Sequence, residues 1–314
     1  MTRLGAAVLA VLLSADSGAC APLGPVAPGA PIAAMATATV PAVTRKYASC
    51  GDAEPRFREA ARHNAEKLDT LVWAPFGVEE HGWEAYAPLM GHEIGTTCGF
   101  GTPAFAQALA TWQLRYNLPA DGEFGPDTFE VLKGVLQERR PFVMARLNGE
   151  CPEGPTQVQL VAIPPAEETF AREGRQLRPE VLSAWRRMVE AARAEVPAVR
   201  NDPTALTLFS GYRDPASDEA RCTAEGNCDG ARRAACSPHR TGTAVDVNVG
   251  WVEGQTADSV TFENRLHQTR SPAYRWLVEN AHRFGFVNYV FEPWHWEWVG
   301  PADSTVTAAA SPPP

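Results

Sequence analysis

His239 lies in the stretch Ser237-Pro-His-Arg-Thr-Gly242-Thr-Ala-Val-Asp246. Gly242 lets the chain turn there, so that a loop histidine can face an aspartate on the strand that follows. His295 opens a later strand and is the third candidate ligand. Two imidazoles and one carboxylate make a three-ligand set that leaves a zinc ion a fourth position for water, whose pKa such an ion lowers to about 7. The same donors accept other divalent ions. Glu292 stands three residues before His295, and Pro293 between them predicts that Glu292 sits on a turn and not within the strand. From a turn it can face the water, take its proton and return it to a leaving group, a contribution of about 10²–10⁴ in rate. His63, His81, His92, His267 and His282 have no comparable partners in sequence and are expected to be structural or exposed. Glu297 shares a strand face with His295, as a hydrogen-bond acceptor that orients it or as an exposed strand charge.

The elements that must hold these residues read as α+β. A helix is predicted from Pro179 to about Ala194, with Val181, Trp185, Met188 and Ala192 inward. Leu206–Phe209 and Ala244–Val249 read as strands, the second sending Val245, Val247 and Val249 to one face and Asp246 to the other. A helix from about Ser271 ends at Phe284-Gly285, where glycine suits a left-handed stop. The last strand, Trp294–Val299, puts three tryptophans on one face. The expected arrangement is a small, mainly antiparallel sheet flanked by helices.

His239-x6-Asp246 followed by Glu292-Pro-Trp-His295 resembles the signature of the VanY-type zinc D-Ala-D-Ala carboxypeptidases. These lie within the wider group that also holds peptidoglycan endopeptidases and hedgehog signalling domains. The resemblance covers about Leu177 to Val299. It implies that His239, Asp246 and His295 bind Zn2+ and that Glu292 is the general acid/base. It further implies that Arg213, in Ser210-Gly-Tyr-Arg, binds the substrate carbonyl and steadies the developing oxyanion. Ser237 matches a family position near the substrate. Arg213 could instead pair with Asp214, and Ser237 could cap a turn. The segment from Asp214 to Cys236, with three cysteines, departs from the simpler family pattern.

Upstream, Phe57, Ala61, Leu68 and Leu71 fall at helical spacing. Thr102 and Pro103 open a second helix carrying Phe105, Leu109, Trp112 and Tyr116. A third starts near Pro126 to Thr128 and turns Phe129, Leu132 and Leu136 inward. Phe105 to Gln113, the turn Leu118-Pro-Ala-Asp121-Gly122 and Phe124-Gly125-Pro126 with Thr128 resemble the helical peptidoglycan-binding module, the insert from Trp73 to Gly99 fitting only loosely. A plain three-helix bundle is the other reading.

The chain has 314 residues, 45% hydrophobic, with nine tryptophans. That length suggests about two domains, and the composition excludes wholesale disorder. The net charge of -9 argues against nucleic acid as a partner. The uncharged run Leu4–Leu13 behind Arg3 is too short for a bilayer of about 30 Å and reads as an export signal. It ends at Ser17-Gly-Ala-Cys20, which resembles a lipobox with Ser in place of the usual Leu. Of seven cysteines, those other than Cys20 leave six, enough for three disulfides in an oxidising compartment. Cys222 with Cys228 is one expected pair. A zinc site of Cys222, Cys228, Cys236 and His239 matches no common spacing.

The expected organisation is a signal at 1–19, an Ala/Pro tether at 20–49 and a helical domain at 50–140. A linker at 141–178, with some strand from Cys151 to Arg178, leads to a peptidase domain at 179–302 and a disordered tail at 303–314. The expected protein is an exported, monomeric zinc D-Ala-D-Ala carboxypeptidase of the periplasm or cell envelope. Its partner is peptidoglycan, and a lipid on Cys20 anchors it to the membrane. The alternatives are an endopeptidase of the same fold and a non-catalytic wall-binding lipoprotein.

Overall fold

The computed structural model describes residues 50, 51, 53–225 and 236–301. The expected signal, tether and tail, Cys20, and Cys228 of the Cys222–Cys228 pair lie outside the described residues.

Helices occupy all three upstream positions marked by the periodicity: α1 (Arg58–Thr70), α3 (Pro103–Arg115) and α4 (Pro126–Glu138). The Thr102 hydroxyl caps α3 by accepting from the Phe105 N–H, with Pro103 at the first turn. The turn between α3 and α4 is held from two sides. The Gln113 carboxamide accepts from the Gly122 N–H and donates to Glu123 O and Thr128 Oγ1. Asn64 of α1 donates to Gly122 O and accepts from the Phe124 N–H, both at 2.8 Å. Gly122 has φ +75°, and a Cβ there would lie 2.4 Å from Ala106 O, so only glycine fits.

The insert that shows no periodicity folds on aromatic packing instead. A two-stranded ribbon, β1 (Val72–Trp73) with β2 (Glu80–His81), leads into α2 (Ala87–Ile94). Trp83, wholly buried, stacks on Phe124 at 4.3 Å, and Trp73 meets Phe129 edge-on at 5.0 Å. The region thus carries a fourth helix and a ribbon beyond the three helices expected. Cys50 and Cys98 are bridged, closing a loop over α1 and α2.

Residues 141–178 carry a short helix and, as expected, some strand. They form α5 (Pro141–Leu147) and the ribbon β3 (Val161–Ala162) with β4 (Gln176–Leu177). The Tyr212 N–H donates to Gln176 O, joining this ribbon to the loop after the next strand.

α6 (Pro179–Glu195) buries Val181, Trp185, Met188 and Ala192 as its spacing predicts, and α7 (Pro197–Asn201) follows. The central sheet is antiparallel, in the order β5 (Leu208–Ser210), β6 (Ala244–Val247), β8 (Glu292–Trp298), β7 (Phe286–Tyr289). α8 (Pro215–Glu225) and α9 (Phe262–Arg270) fill stretches to which periodicity assigned no element. α10 (Pro272–Asn280) passes through a 3-10 turn to Gly285 at φ +82°, the expected left-handed stop. Trp294 and Trp296 are buried in one core with Val245 and Val247 of β6, Trp185 and Met188 of α6, and Trp83 and Phe129 of the upstream region.

That shared core is stitched by a buried ion pair. Arg265 of α9 bonds Glu80 of β2 and the Tyr86 hydroxyl. Removing one partner of such a pair leaves an uncompensated buried charge. Glu80→Ala is expected to lower unfolding free energy by about 3–5 kcal/mol, read from urea denaturation. Glu123 ties α1 to the α3–α4 turn. Burial would raise its carboxyl, but hydrogen bonds from His63 and Lys67 hold it below its ordinary value. A depressed carboxyl stabilises fully above its unfolded pKa and loses that contribution as pH falls through the folded one. Glu123→Gln is therefore expected to cost about 0.5–1 kcal/mol at pH 7, with the deficit shrinking as denaturation is repeated at progressively lower pH through the depressed folded-state pKa.

Candidate metal centre

Three strands and one turn bring the chemistry together. The Ser237 hydroxyl accepts from the His239 N–H and so caps the 3-10 turn Pro238–Thr241. Gly242 at φ +69° returns the chain into β6, and Asp246 emerges beside His295, its directly paired residue on β8. His239, Asp246 and His295 are 4%, 7% and 3% exposed, and one donor atom from each lies within 4.8 Å of the others. Among the described residues no other such group of His, Cys, Asp and Glu forms.

The ring nitrogens have divided roles. His239 Nδ1 is 2.8 Å from Gly211 O, so it carries the proton and donates. His239 Nε2 then faces Asp246 Oδ2 at 3.3 Å. His295 Nε2 is 3.2 Å from Glu297 Oε1, and His295 Nδ1 is 2.9 Å from Asp246 Oδ1. Each imidazole thus uses one nitrogen on an oriented acceptor and turns the other toward a shared carboxylate, the arrangement metal-binding histidines adopt. Burial would raise the Asp246 carboxyl, but the two histidines push it well below the usual carboxylate range. Burial would lower His295, but hydrogen bonds to Asp246 and Glu297 raise it to about 9. The cluster is built to surround positive charge, and its donors suit a divalent cation.

Glu292 is not on a turn before the strand: it is the first residue of β8 and pairs with Tyr289. Regular alternation would put residues three apart on opposite faces. The register shift between Asn288 and Tyr289 removes that constraint, since Asn288 pairs Trp296 while Tyr289 pairs Glu292. Asn288 Nδ2 spans the irregularity, donating to His295 O and Glu292 O. Glu292 Oε2 consequently lies 4.0 Å from His295 Nδ1, on a side chain 29% exposed. Desolvation raises its carboxyl above the ordinary value, with Asp246 adding to the rise.

Arg213 pairs with buried Asp218 of α8 at 3.2 Å and not with Asp214, which caps α8 through Ser217. The Asp218 carboxylate also accepts from the Ser237 N–H, so α8 ties together the loops carrying Arg213 and Ser237. Cys236 is bridged to Cys151, which removes it from any cysteine-zinc site. Outside the cluster, His63 bonds Glu123, His81 lies beside Glu79 and His92 beside Glu279.

The sequence reading missed three contributors. Asn288 and Asp218 sit on elements whose pairing no local pattern reveals. Arg140 bonds Glu297 from 157 residues away. Glu297 itself was legible through its alternation with His295.

Residues 174–301 match the family described as VanY: D-alanyl-D-alanine carboxypeptidase. A D-alanyl-D-alanine carboxypeptidase of Enterococcus faecalis (strain ATCC 700802 / V583) is 36% identical over 75 residues, a match covering 20% of this chain and 23% of that relative. Among solved structures, the LdcB LD-carboxypeptidase aligns at 24% identity and TM-score 0.35, over 47% of this chain and 70% of that one. VanYB in complex with D-Alanine-D-Alanine aligns at 22% and 0.30, over 48% and 83%. A mutant of the vancomycin resistance D,D-pentapeptidase VanY in complex with Zn(II) aligns at 24% and 0.26, over 40% and 75%.

His295→Ala removes a donor and the ring that fixes Asp246. Its expected effect is loss of bound divalent metal, read by elemental mass spectrometry of the purified protein, while His267→Ala keeps wild-type metal content.

Proposed function

We propose, from the VanY-type family match of residues 174–301, that the protein is a zinc-dependent D-alanyl-D-alanine carboxypeptidase acting on peptidoglycan stem peptides. The observation that carries this reading is the convergence of His239 Nε2, Asp246 and His295 Nδ1 with Glu292 held beside them. Zinc, when bound, polarises a carbonyl and lowers the pKa of a water to about 7.

The chain's own groups do the rest. Glu292 accepts a proton from the attacking water and delivers it to the leaving amine nitrogen. Its raised pKa suits both halves of that task, because a carboxyl nearer neutrality holds the proton long enough to pass it on. Arg213, always charged, steadies the oxyanion that develops on the scissile carbonyl, and Asp218 fixes where its guanidinium lies. The Ser237 hydroxyl caps the turn that carries His239, and the Ser237 N–H donates to the same Asp218 that holds Arg213.

The upstream helices are proposed to hold the enzyme on the wall, which raises local substrate concentration without adding contacts to the cleavage site. An export signal and a lipid on Cys20 complete the proposed address, in the periplasm or cell envelope.

The test is mass spectrometry of pentapeptide and crosslinked muropeptides after incubation with the purified protein, with and without a chelator. Release of one terminal alanine, abolished by chelation, is the expected result. Cleavage inside the peptide or its crosslink would assign an endopeptidase, and no cleavage by metal-replete protein would favour a wall-binding role. Glu292→Gln is expected to keep its metal and to lose about 10²-fold or more in turnover. Wild-type turnover in that variant would remove Glu292 from the mechanism.

A further inference from the structure

Glu297 is 3% exposed and its Oε1 carries two loads at once. It accepts from His295 Nε2 at 3.2 Å and from Arg140 through Nε at 2.8 Å and Nη2 at 2.5 Å. Arg140 lies between α4 and α5, outside the family-matched segment, and is itself 5% exposed. Its own position is over-determined. Nη1 bonds Gln137 of α4, and the guanidinium lies 4.3 Å over the Tyr289 ring, which is perpendicular to the His295 ring with centroids 6.2 Å apart.

A carboxylate offers several lone-pair directions, and a side chain of Glu's length adopts several rotamers. An unheld Glu297 would present its oxygens to His295 in a range of positions. The guanidinium fork removes that freedom by clamping Oε1. Because the same oxygen receives the His295 Nε2–H, fixing it fixes the ring, and the opposite nitrogen, Nδ1, then points at Asp246.

We infer that Arg140 is a positioning residue for the metal centre, acting through Glu297 to keep His295 Nδ1 aimed at the site. The upstream helices therefore complete the centre structurally, whatever they bind. The consequence for metal affinity rests on the zinc reading above, whereas the consequence for the His295 ring does not.

The test uses the full exported chain with Arg140→Lys, Arg140→Met and Glu297→Gln, alone and combined. Zinc affinity is measured by competition with a chromophoric chelator. Exchange of the His295 Nε2–H is measured by ring-nitrogen NMR. Arg140→Met is expected to weaken zinc binding by about 10–100-fold, the range seen when groups that orient metal ligands are lost. Arg140→Lys, with a single point of contact in place of the fork, is expected to fall between it and the wild type. In the Glu297→Gln background, Arg140→Met should add no further loss. Wild-type affinity in both Arg140 variants, or a loss of equal size with and without Glu297, would overturn the inference. Should Arg140→Met fail to fold, Arg140→Lys preserves charge and carries the comparison. If the wild type takes up no zinc, the proposed function fails. Arg140 is then judged by NMR alone: slow exchange of the Nε2–H in the wild type and its loss in Arg140→Lys supports the role, and unchanged exchange refutes it.

Discussion

Everything around the centre depends on one buried carboxylate. Asp246 places one oxygen against each of two histidines, at 2.9 and 3.3 Å, and all three side chains are buried. A charge so placed is costly unless matched, and neither imidazole can match it in the wrong orientation. The protein therefore spends its surrounding hydrogen bonds on ring orientation: Gly211 O on one imidazole and Glu297 on the other. The result is a cluster whose natural complement is a cation bound to Asp246, His239 Nε2 and His295 Nδ1.

The scaffold follows from that requirement. β6 and β8 must pair in the register that sets Asp246 opposite His295, and the valines of β6 with the tryptophans of β8 secure it from the core side. A slip by one residue would turn the whole site into that core. The irregularity at Asn288 is confined to the end of the β7–β8 pairing, where it swings Glu292 onto the ligand face without disturbing His295. The bridge between Cys151 and Cys236 anchors the chain one residue before Ser237, so the histidine turn is tethered at its entry. For a loop closed over a separation of 85 residues the chain-entropy account assigns such a bridge about 4.6 kcal/mol.

How much of this was legible depended on range. Gly242 between His239 and Asp246, and the alternation of His295 with Glu297, are local patterns, and the sequence revealed them. The capped α3, the inner face of α6 and the glycine stop at Gly285 were readable for the same reason. Glu292 was misplaced because Pro293 argues for a turn, whereas the register shift opposite it lets the strand begin at Glu292, two residues before the expected start at Trp294. α2 was missed because eight residues are too few for periodicity to speak and its burial comes from aromatics elsewhere. α8 and α9 present weak patterns whose buried faces include Asp218, Arg265 and Gln268, polar residues that look exposed until their partners are known. Arg140 is the extreme case: a charged residue before a proline reads as a surface helix boundary, and only the tertiary fold reveals its place behind His295.

X-ray absorption at the zinc edge of the purified, zinc-loaded protein tests the central claim most directly. The account predicts one zinc per chain with nitrogen and oxygen neighbours at about 2.0–2.1 Å, including two imidazoles, and no sulfur. A sulfur shell at about 2.3 Å, or fewer than two imidazoles, would contradict it.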